Sequence, residues 1–230
     1  MFYNTDYLSN NKQFMKCIDK NIYEWIDDYI TGKVVTLPKK VIPHDNPIIF
    51  CEEDFLLEKM NTDYGVRGFG TKSPSLHWNT ADTGFHGTEK DVLNWKDIEF
   101  YDKTERLMKP VKKEMSKYWS SVNLRNVLAW FKPKNYMGWH TNCRLVEDKD
   151  YRLYFVWCDE DNKSFFRWRD SKTGKIHTKW EKKGWNLNWF QLGNCENPTW
   201  HCIYSDCNRF SIGFQVLNPI DKVLSEIQKG

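Results

Sequence analysis

The sequence predicts an α+β domain that is mainly β, with helices in its first half and short strands in its second. Apolar residues recur every three or four positions between Asn10 and Ile30, which is typical of an amphipathic helix. From Leu124 onward, short runs of β-branched and aromatic residues alternate with polar turns at regular spacing. This order of elements predicts helices that pack on a β sandwich or barrel.

The length and composition are those of one globular domain. The chain has 230 residues, 40% of them hydrophobic, and a formal net charge of +3. We expect a single domain (1–230), in which residues 1–122 supply helical and loop support with a substrate-side segment and residues 123–218 form the barrel core. The twelve tryptophans predict a packed aromatic core or an aromatic cleft. Lysines lie among acidic residues without forming a basic footprint, so nucleic acid is not an expected partner.

The sequence shows no sign of a secretion signal or a membrane span. Residues 1–14 lack a basic start followed by an apolar stretch, and no apolar run is long enough to cross a bilayer. Seven cysteines without a Cys-x-x-Cys pair predict a reduced interior, so we expect a cytoplasmic protein. A zinc site drawn from Cys195, His201, Cys202 and Cys207 is disfavoured, because the close ligand pairs of structural zinc sites are absent.

The first half is predicted to contain two main helices. The first spans Asn10–Ile30, with Ser9 or Asn10 as a candidate cap. The second spans 99–119, and Pro110 is expected to kink or split it. Three shorter segments are predicted between the two helices: extended chain at 34–41 and at 47–51, and a helical turn or two at 54–60.

Residues 62–90 are rich in Gly, Ser, Thr, Asn and Pro and show no clear period. A loop of this length in a compact domain tends to be functional or disordered, and its aromatic residues argue against disorder. We therefore expect it to cover the substrate side of the domain. His77 and His86 lie here, and we expect them to be polar loop residues rather than metal ligands.

The second half is predicted to be a series of short strands. A turn at 132–135 and a hairpin turn at 170–175 separate some of them. The count fits a double-sheet jelly-roll or cupin-like barrel, with the N-terminal helices packed on one sheet. The predicted strands are 124–131, 139–143, 151–158, 164–169, 176–181, 186–192, 199–204 and 209–217.

Two histidines and an asparagine in this half have the spacing of a metal site. His140 and Asn142 are two apart, so in an extended strand both side chains lie on one face. His201 would reach the same barrel mouth from a later strand. Two imidazoles and one carboxylate form the facial triad of non-heme iron(II) oxygenases, which leaves open positions for co-substrate and oxygen. Here Asn142 stands at the place of the carboxylate.

An arginine and a serine follow at the spacing of a carboxylate-binding pair. Arg209 comes eight residues after His201, and Ser211 lies two further on, so both would share a strand face. A guanidinium offers a carboxylate a bidentate, charge-assisted fork, and a serine hydroxyl can donate one more hydrogen bond. We therefore expect Arg209 and Ser211 to bind the carboxylate of a ligand.

The order His-x-Asn, His, Arg-x-Ser resembles the iron(II)/2-oxoglutarate oxygenases over roughly the last hundred residues. Most members carry Asp or Glu where this chain has Asn142. The resemblance implies a double-stranded β-helix, Fe(II) and 2-oxoglutarate as cofactors, and O2 as co-substrate. It also implies that His140, Asn142 and His201 are the catalytic metal ligands and that Arg209 and Ser211 bind 2-oxoglutarate.

Within that family, the aspartate/asparagine β-hydroxylases lack the carboxylate ligand and carry Arg-x-His on the strand after the first histidine. This chain has Arg152-Leu153-Tyr154 in the corresponding place, with Tyr for His. The similarity implies that Arg152 and Tyr154 also face the co-substrate. It implies a 2-oxoglutarate-dependent dioxygenase that hydroxylates a protein side chain or a small amino-acid-like substrate.

Two questions stay open at the level of sequence: the role of Asn142 and whether the chain is an enzyme. Asn142 can ligate iron through its amide oxygen, contact the site without ligating, or be an ordinary strand residue. An amide also leaves the site without its usual charge compensation. The second hypothesis is therefore a non-catalytic, cupin-like module in which Arg209 and Ser211 bind a carboxylate without turnover.

Overall fold

The fold is seen in a computed structural model, which describes residues 2–3, 5–30, 45–60, 82–84, 106–141, 151–193, 198–219 and 225. The helical elements in these ranges are α1 (Asp6–Ser9), α2 (Lys12–Ile30), a 3₁₀ helix (Pro47–Cys51), α3 (Glu53–Met60) and α4 (106–115). The strands are β1 (Phe2–Tyr3), β2 (Asp82–Gly84), β3 (Trp119–Phe131), β4 (Asn135–His140), β5 (Tyr151–Cys158), β6 (Ser164–Arg169), β7 (Ile176–Trp180), β8 (Gly184–Gln191), β9 (His201–Ser205) and β10 (Arg209–Pro219).

The strands form two sheets with jelly-roll connectivity. One sheet has the order β1-β8-β5-β10-β3-β2, and the other has the order β4-β9-β6-β7. Every named strand pairing is antiparallel. From β3 to β10 the chain changes sheet at each step except between β6 and β7, so the eight strands form two interleaved sets of four. The predicted jelly-roll, cupin-like fold is therefore confirmed.

Helices α2 and α4 cover the outer face of the six-stranded sheet, as the sequence predicts. Apolar residues of α2 are buried at four-residue spacing, from Phe14 through Ile18 and Ile22 to Ile26. They share one core with Leu153 and other outward-facing residues of the sheet. The cap of α2 is Asn11 rather than Ser9 or Asn10, since its Oδ1 accepts a hydrogen bond from the Phe14 amide at 3.0 Å.

Phe14 is expected to contribute strongly to stability. Its buried ring contacts Tyr118 at a centroid distance of 5.4 Å and Phe155 at 5.7 Å, which joins α2 to the sheet. Phe14→Ala should lower the free energy of unfolding by about 3–5 kcal/mol, because it leaves a cavity in the core. Tyr23→Ala is the matched control on the same helix, since Tyr23 is 50% exposed, and it should cost less than about 1 kcal/mol. Equal losses for the two variants in urea unfolding would contradict this packing.

Two further apolar layers are separate from the core beneath the helices. One lies between the two sheets, and the other lies on the outer face of the four-stranded sheet, called the small sheet below. Between the sheets, residues such as Val156, Phe166 and Ile203 pack together. On the outer face of the small sheet, the 3₁₀ helix and α3 cover Tyr136 and Trp139. The Trp139 indole Nε1 donates to the carbonyl oxygen of Glu52 at 2.9 Å, which fixes this cover to β4.

Two predictions in the first half are wrong. Residues 47–51 form a 3₁₀ helix instead of extended chain, because Pro47 begins the helix and Phe50 packs on Tyr136 with stacked rings at 4.8 Å. Of the two outcomes expected at Pro110, α4 does not split there, because Met108 and Val111 on either side of it are buried against the core that includes α2, and a kink stays a prediction. The predicted helix also ends early, since Trp119 already begins β3.

The strands of the second half lie close to their predicted positions, with two differences that affect the site. Strand β3 begins at Trp119, so the expected boundary at residue 122 falls inside a strand. Strand β4 covers Asn135–His140 instead of 139–143, because the turn at 132–135 leads directly into it. His140 is therefore the last residue of its strand, and Asn142 lies outside the described residues.

Several predictions fall outside the described residues: those for 34–41, for His77 and His86, and for most of 62–90. Within the last segment the structure describes β2, which pairs with β3 at the edge of the large sheet. The expected covering role of 62–90 stays a prediction. Among the described helices, none is long and apolar enough to span a membrane.

Candidate functional site

Two histidine side chains meet at one end of the barrel interior. His140 ends β4, His201 begins β9, and the two residues are paired across these neighbouring strands. Both are 1% exposed, and their ring centroids lie 4.2 Å apart with an interplanar angle of 57°. A later strand thus brings His201 beside His140, and the role of the two residues as metal ligands stays a prediction.

Both imidazoles are held in the same way. Nδ1 of His140 lies 2.8 Å from the carbonyl oxygen of Gly138, and Nδ1 of His201 lies 2.9 Å from that of Thr199. A carbonyl oxygen accepts, so each neutral ring carries its proton on Nδ1 and the lone pair on Nε2. A hydrogen bond from Nδ1 to a backbone carbonyl is the usual way in which proteins fix the tautomer and orientation of a metal-binding histidine.

His201 lies in an apolar setting that keeps it neutral. Its ring stacks with Phe166 at 5.6 Å and contacts Phe190 of the opposite sheet at 5.0 Å. Burial and, to a smaller extent, the positive charge of Arg152 lower the pKa of His201 to about 4, although the hydrogen bond to Thr199 acts in the opposite direction. At neutral pH the imidazole is therefore unprotonated, which is the form that binds a metal ion.

The described residues supply two imidazoles but no third ligand of the kind that completes a facial triad. The described residues contain no group of three or more His, Cys, Asp or Glu side chains that could hold a metal ion. Asn142 lies outside these residues, and so does Cys195. Cys202 packs in the apolar layer on the outer face of the small sheet, so it points away from His201 and does not support the disfavoured zinc set.

Arg152 and Tyr154 lie on the interior face of β5, close to the histidines. Arg152 pairs across β5 and β8 with Phe190, the residue that contacts the ring of His201. Tyr154 stacks on Phe190 at 5.8 Å with an angle of 15°. Leu153 between them belongs to the outer core, so the alternation expected for Arg-x-Tyr on a strand is observed.

Arg209 and Ser211 lie on the interior face of β10, as predicted, but the guanidinium already has a partner. Nε and Nη2 of Arg209 donate to the two carboxylate oxygens of Glu181 at 2.7 and 2.8 Å. Both side chains are fully buried. Among the described residues, Arg209 Nη1 and Ser211 Oγ have no hydrogen-bond partner. The predicted carboxylate-binding pair thus keeps two unsatisfied groups while its charge is balanced by Glu181.

Glu181 is the residue that sequence reasoning missed. Besides Arg209, its carboxylate accepts hydrogen bonds from Ser164 Oγ at 2.5 Å and Asn188 Nδ2 at 3.0 Å. Burial alone would raise the pKa of Glu181, but the charge and hydrogen bonds of Arg209 outweigh it and hold the pKa below its usual range. In the sequence Glu181 precedes two lysines, a pattern that indicates a solvated turn, so no local signal marks it as buried.

The His140–His201 pair and the Arg209–Glu181 pair lie at opposite ends of β9. This strand begins at His201, and residues 206–208 connect its far end to Arg209 at the start of β10. The histidines and Arg152 therefore occupy one end of the barrel, and the Arg209–Glu181 pair occupies the other, which we call the deep end. A ligand that contacts both groups has to be elongated along the barrel axis.

Comparisons with known proteins find structural likeness only. No protein-family model matches the sequence, and no curated protein does. A prolyl-4-hydroxylase from Pseudomonas putida aligns at 15% identity over 56% of this chain and 68% of its own, with a TM-score of 0.32. A predicted oxalate decarboxylase from Thermotoga maritima aligns at 14% identity over 46% and 74%, with a TM-score of 0.26.

The cupin domain of Drosophila melanogaster CENP-C aligns at 8% identity over 73% of this chain and 97% of its own, with a TM-score of 0.26. Likeness at this level carries no argument about chemistry. The jelly-roll assignment therefore rests on strand order and pairing.

Proposed function

We propose that this chain is an iron(II)- and 2-oxoglutarate-dependent oxygenase that hydroxylates its substrate. One observation carries the proposal: two buried imidazoles from β4 and β9 face each other, each with Nδ1 bonded to the backbone carbonyl two residues earlier. Because Nδ1 of each ring lies at a backbone carbonyl, Nε2 is the nitrogen through which each imidazole would bind a metal.

The residues fit iron(II). Imidazole nitrogen is a suitable ligand for this ion, and a site with two protein imidazoles leaves other positions for co-substrate and oxygen. His201 is neutral at physiological pH, so no proton has to be displaced from it when a metal binds. His140 and His201 would hold the ion, and Asn142 is the proposed third position, two residues beyond His140 along the chain.

The residues also fit an elongated dicarboxylate. Near the histidines, the buried guanidinium of Arg152 can compensate a carboxylate that lies beside the metal, with Tyr154 on the same strand face. At the deep end, Arg209 Nη1 and Ser211 Oγ are unsatisfied groups that a distal carboxylate can use. The cost of leaving such groups buried and unpaired favours a ligand at that position.

When bound, iron and 2-oxoglutarate supply the oxidation, in which 2-oxoglutarate and O2 yield succinate, CO2 and a hydroxylated substrate carbon. The protein holds the ligands and excludes water. Phe166 and Phe190 enclose the His201 ring, so the metal-facing region is apolar on that side. We propose a protein side chain or a small amino-acid-like molecule as the substrate, in a cytoplasmic setting.

The experiment that tests the proposal is succinate release from 2-oxoglutarate with added iron(II) and O2. Wild type should release succinate above the level of a His140→Ala variant, because that variant lacks one of the two imidazoles. His177→Ala serves as the matched control, since His177 stacks on Trp168 of β6 and is not paired with His140. Wild-type release no greater than that of His140→Ala, over a range of candidate substrates, would reject the oxygenase.

The second candidate is a non-catalytic module that binds a carboxylate. One observation favours it: the described residues contain no group of three or more His, Cys, Asp or Glu side chains that could hold a metal ion, and without such a site a carboxylate would bind without turnover. Carboxylate binding measured by calorimetry, without succinate release, would establish this function instead.

Asn142→Asp is expected to tighten iron(II) binding. A carboxylate offers the ion a negative charge as well as an oxygen, whereas an amide offers only a dipole. Because Asn142 follows His140 by two residues, we expect about a tenfold gain in affinity, measured by competition with a coloured chelator. An unchanged affinity would mean that residue 142 does not face the metal.

A further inference from the structure

The deep end of the barrel carries a complete ion pair where a lone positive charge would be expected for binding a carboxylate. The Arg209 guanidinium and the Glu181 carboxylate form two hydrogen bonds of 2.7 and 2.8 Å. Both side chains are fully buried, so water does not screen or replace either partner. The pair itself therefore has no net charge.

Three buried polar atoms at or beside this pair lack a hydrogen-bond partner among the described residues. Arg209 Nη1 is a donor, Asn188 Oδ1 is an acceptor, and Ser211 Oγ can do either; none has a partner among the described residues, and each residue is at most 1% exposed. Asn188 and Arg209 both donate to the Glu181 carboxylate, so their remaining groups lie close to it. Ser211 is next along the same face of β10 as Arg209.

All three groups face the interior. Ser211 is paired with Ala129 on one side and Val156 on the other, and both belong to the apolar layer between the sheets. Asn188 is paired with Tyr154 of the same layer. The guanidinium of Arg209 lies 5.1 Å from the ring centroid of Phe131, also in this layer. A ligand that contacts these groups would therefore have to reach them from the barrel interior.

The combination of groups suits a neutral polar ligand end. A second carboxylate can accept from Arg209 Nη1 and Ser211 Oγ, but it also meets the Glu181 charge and the Asn188 oxygen, with no net positive charge to offset its desolvation. An uncharged group can accept the same two hydrogen bonds without that cost. Glu181 thus removes most of the advantage that a carboxylate normally has beside an arginine.

We infer that Glu181 sets the specificity of the deep end, so that the chain accepts 2-oxo acids with an uncharged polar distal group about as well as it accepts 2-oxoglutarate. This inference rests on the proposed function, because it concerns the second end of the same co-substrate. Glu181 acts through Arg209 and is a positioning residue. The ligand class is a 2-oxo acid whose far end is neutral and accepts hydrogen bonds, such as an ester.

The test compares two ligands on the full chain loaded with iron(II) under anaerobic conditions, so that binding is measured without turnover. Calorimetry would give the affinity for 2-oxoglutarate and for its 5-methyl ester, which keeps the 2-oxo acid end but has no distal charge. For wild type we expect the two dissociation constants to agree within about tenfold. The inference would be overturned, and the proposed function left intact, if wild type bound 2-oxoglutarate more than about a hundredfold more tightly than the ester.

Glu181→Gln supplies the second arm. The amide keeps the shape of the side chain but restores the net charge of Arg209, so we expect the preference for 2-oxoglutarate over the ester to rise at least about tenfold. Glu160→Gln is the matched control at an exposed acid and should leave the preference unchanged. An unchanged preference in folded Glu181→Gln would overturn the inference, and if that variant does not fold, the wild-type comparison decides.

The same binding measurements distinguish failure of the co-substrate proposal from failure of the inference about Glu181. If iron(II) binds but neither 2-oxo acid does, both the co-substrate proposal and this inference fall together. A preference for 2-oxoglutarate alone rejects only the inference.

Discussion

Replacing His201 by alanine is expected to abolish metal binding while the fold is kept. The variant removes one of two imidazoles whose rings lie 4.2 Å apart, so a divalent ion would lose one of the two imidazoles proposed to hold it. We expect the affinity for iron(II) to fall by about a hundredfold or more, measured by equilibrium dialysis. Circular dichroism would verify that the variant is folded, because the strands around His201 are held by their own backbone ladders.

His177→Ala is the control for this experiment. His177 lies in the same barrel, half-buried on β7, and stacks on Trp168 at 5.2 Å. Its removal should leave iron(II) affinity unchanged. If His201→Ala binds iron(II) as well as wild type does, His201 is a core residue, and the hydrogen bond from Nδ1 to Thr199 serves only packing.

Arg209→Ala is expected to produce a large loss of stability. It leaves the Glu181 carboxylate in a fully buried position without its charge partner. Breaking a buried pair from one side typically costs about 3–5 kcal/mol, more than the pair itself contributes over an apolar replacement. Urea unfolding should therefore show a large decrease in the free energy of unfolding for the single variant.

The double variant Arg209→Met, Glu181→Leu distinguishes the charge effect from simple loss of packing. Removing both charges should recover much of the lost stability, with a remaining cost because Ser164 and Asn188 lose the acceptor that Glu181 provides. Lys117→Ala, which breaks a pair with Glu114 at the surface, should change stability little. A double variant as unstable as Arg209→Ala would show that the loss does not come from an uncompensated charge.

The sequence predicts the barrel well because its signals are local. Strands β5 and β6 coincide with two runs rich in aromatic residues, and a polar turn separates them. The site residues on strands follow the same rule, since Arg152 with Tyr154 and Arg209 with Ser211 each share a face at two-residue spacing. The His140–His201 pairing then follows from the jelly-roll strand order.

The errors come from long-range packing. Pro47 and the apolar residues after it resemble a strand, but packing against β4 makes them a 3₁₀ helix. The pairing of Arg209 with Glu181 joins residues that are 28 apart, with β8 and β9 between them in the sequence, and no periodicity predicts such a contact. A charged side chain beside lysines is usually solvated, so its burial becomes visible only when the fold brings Arg209, Ser164 and Asn188 around it.

X-ray absorption of the iron(II)-loaded protein, with and without 2-oxoglutarate, tests the central claim most directly, because it counts the imidazole ligands of the metal. We predict two imidazole nitrogens in wild type, one or none in His201→Ala, and added oxygen ligands when 2-oxoglutarate binds. A wild-type spectrum without imidazole ligands would contradict a metal site at His140 and His201.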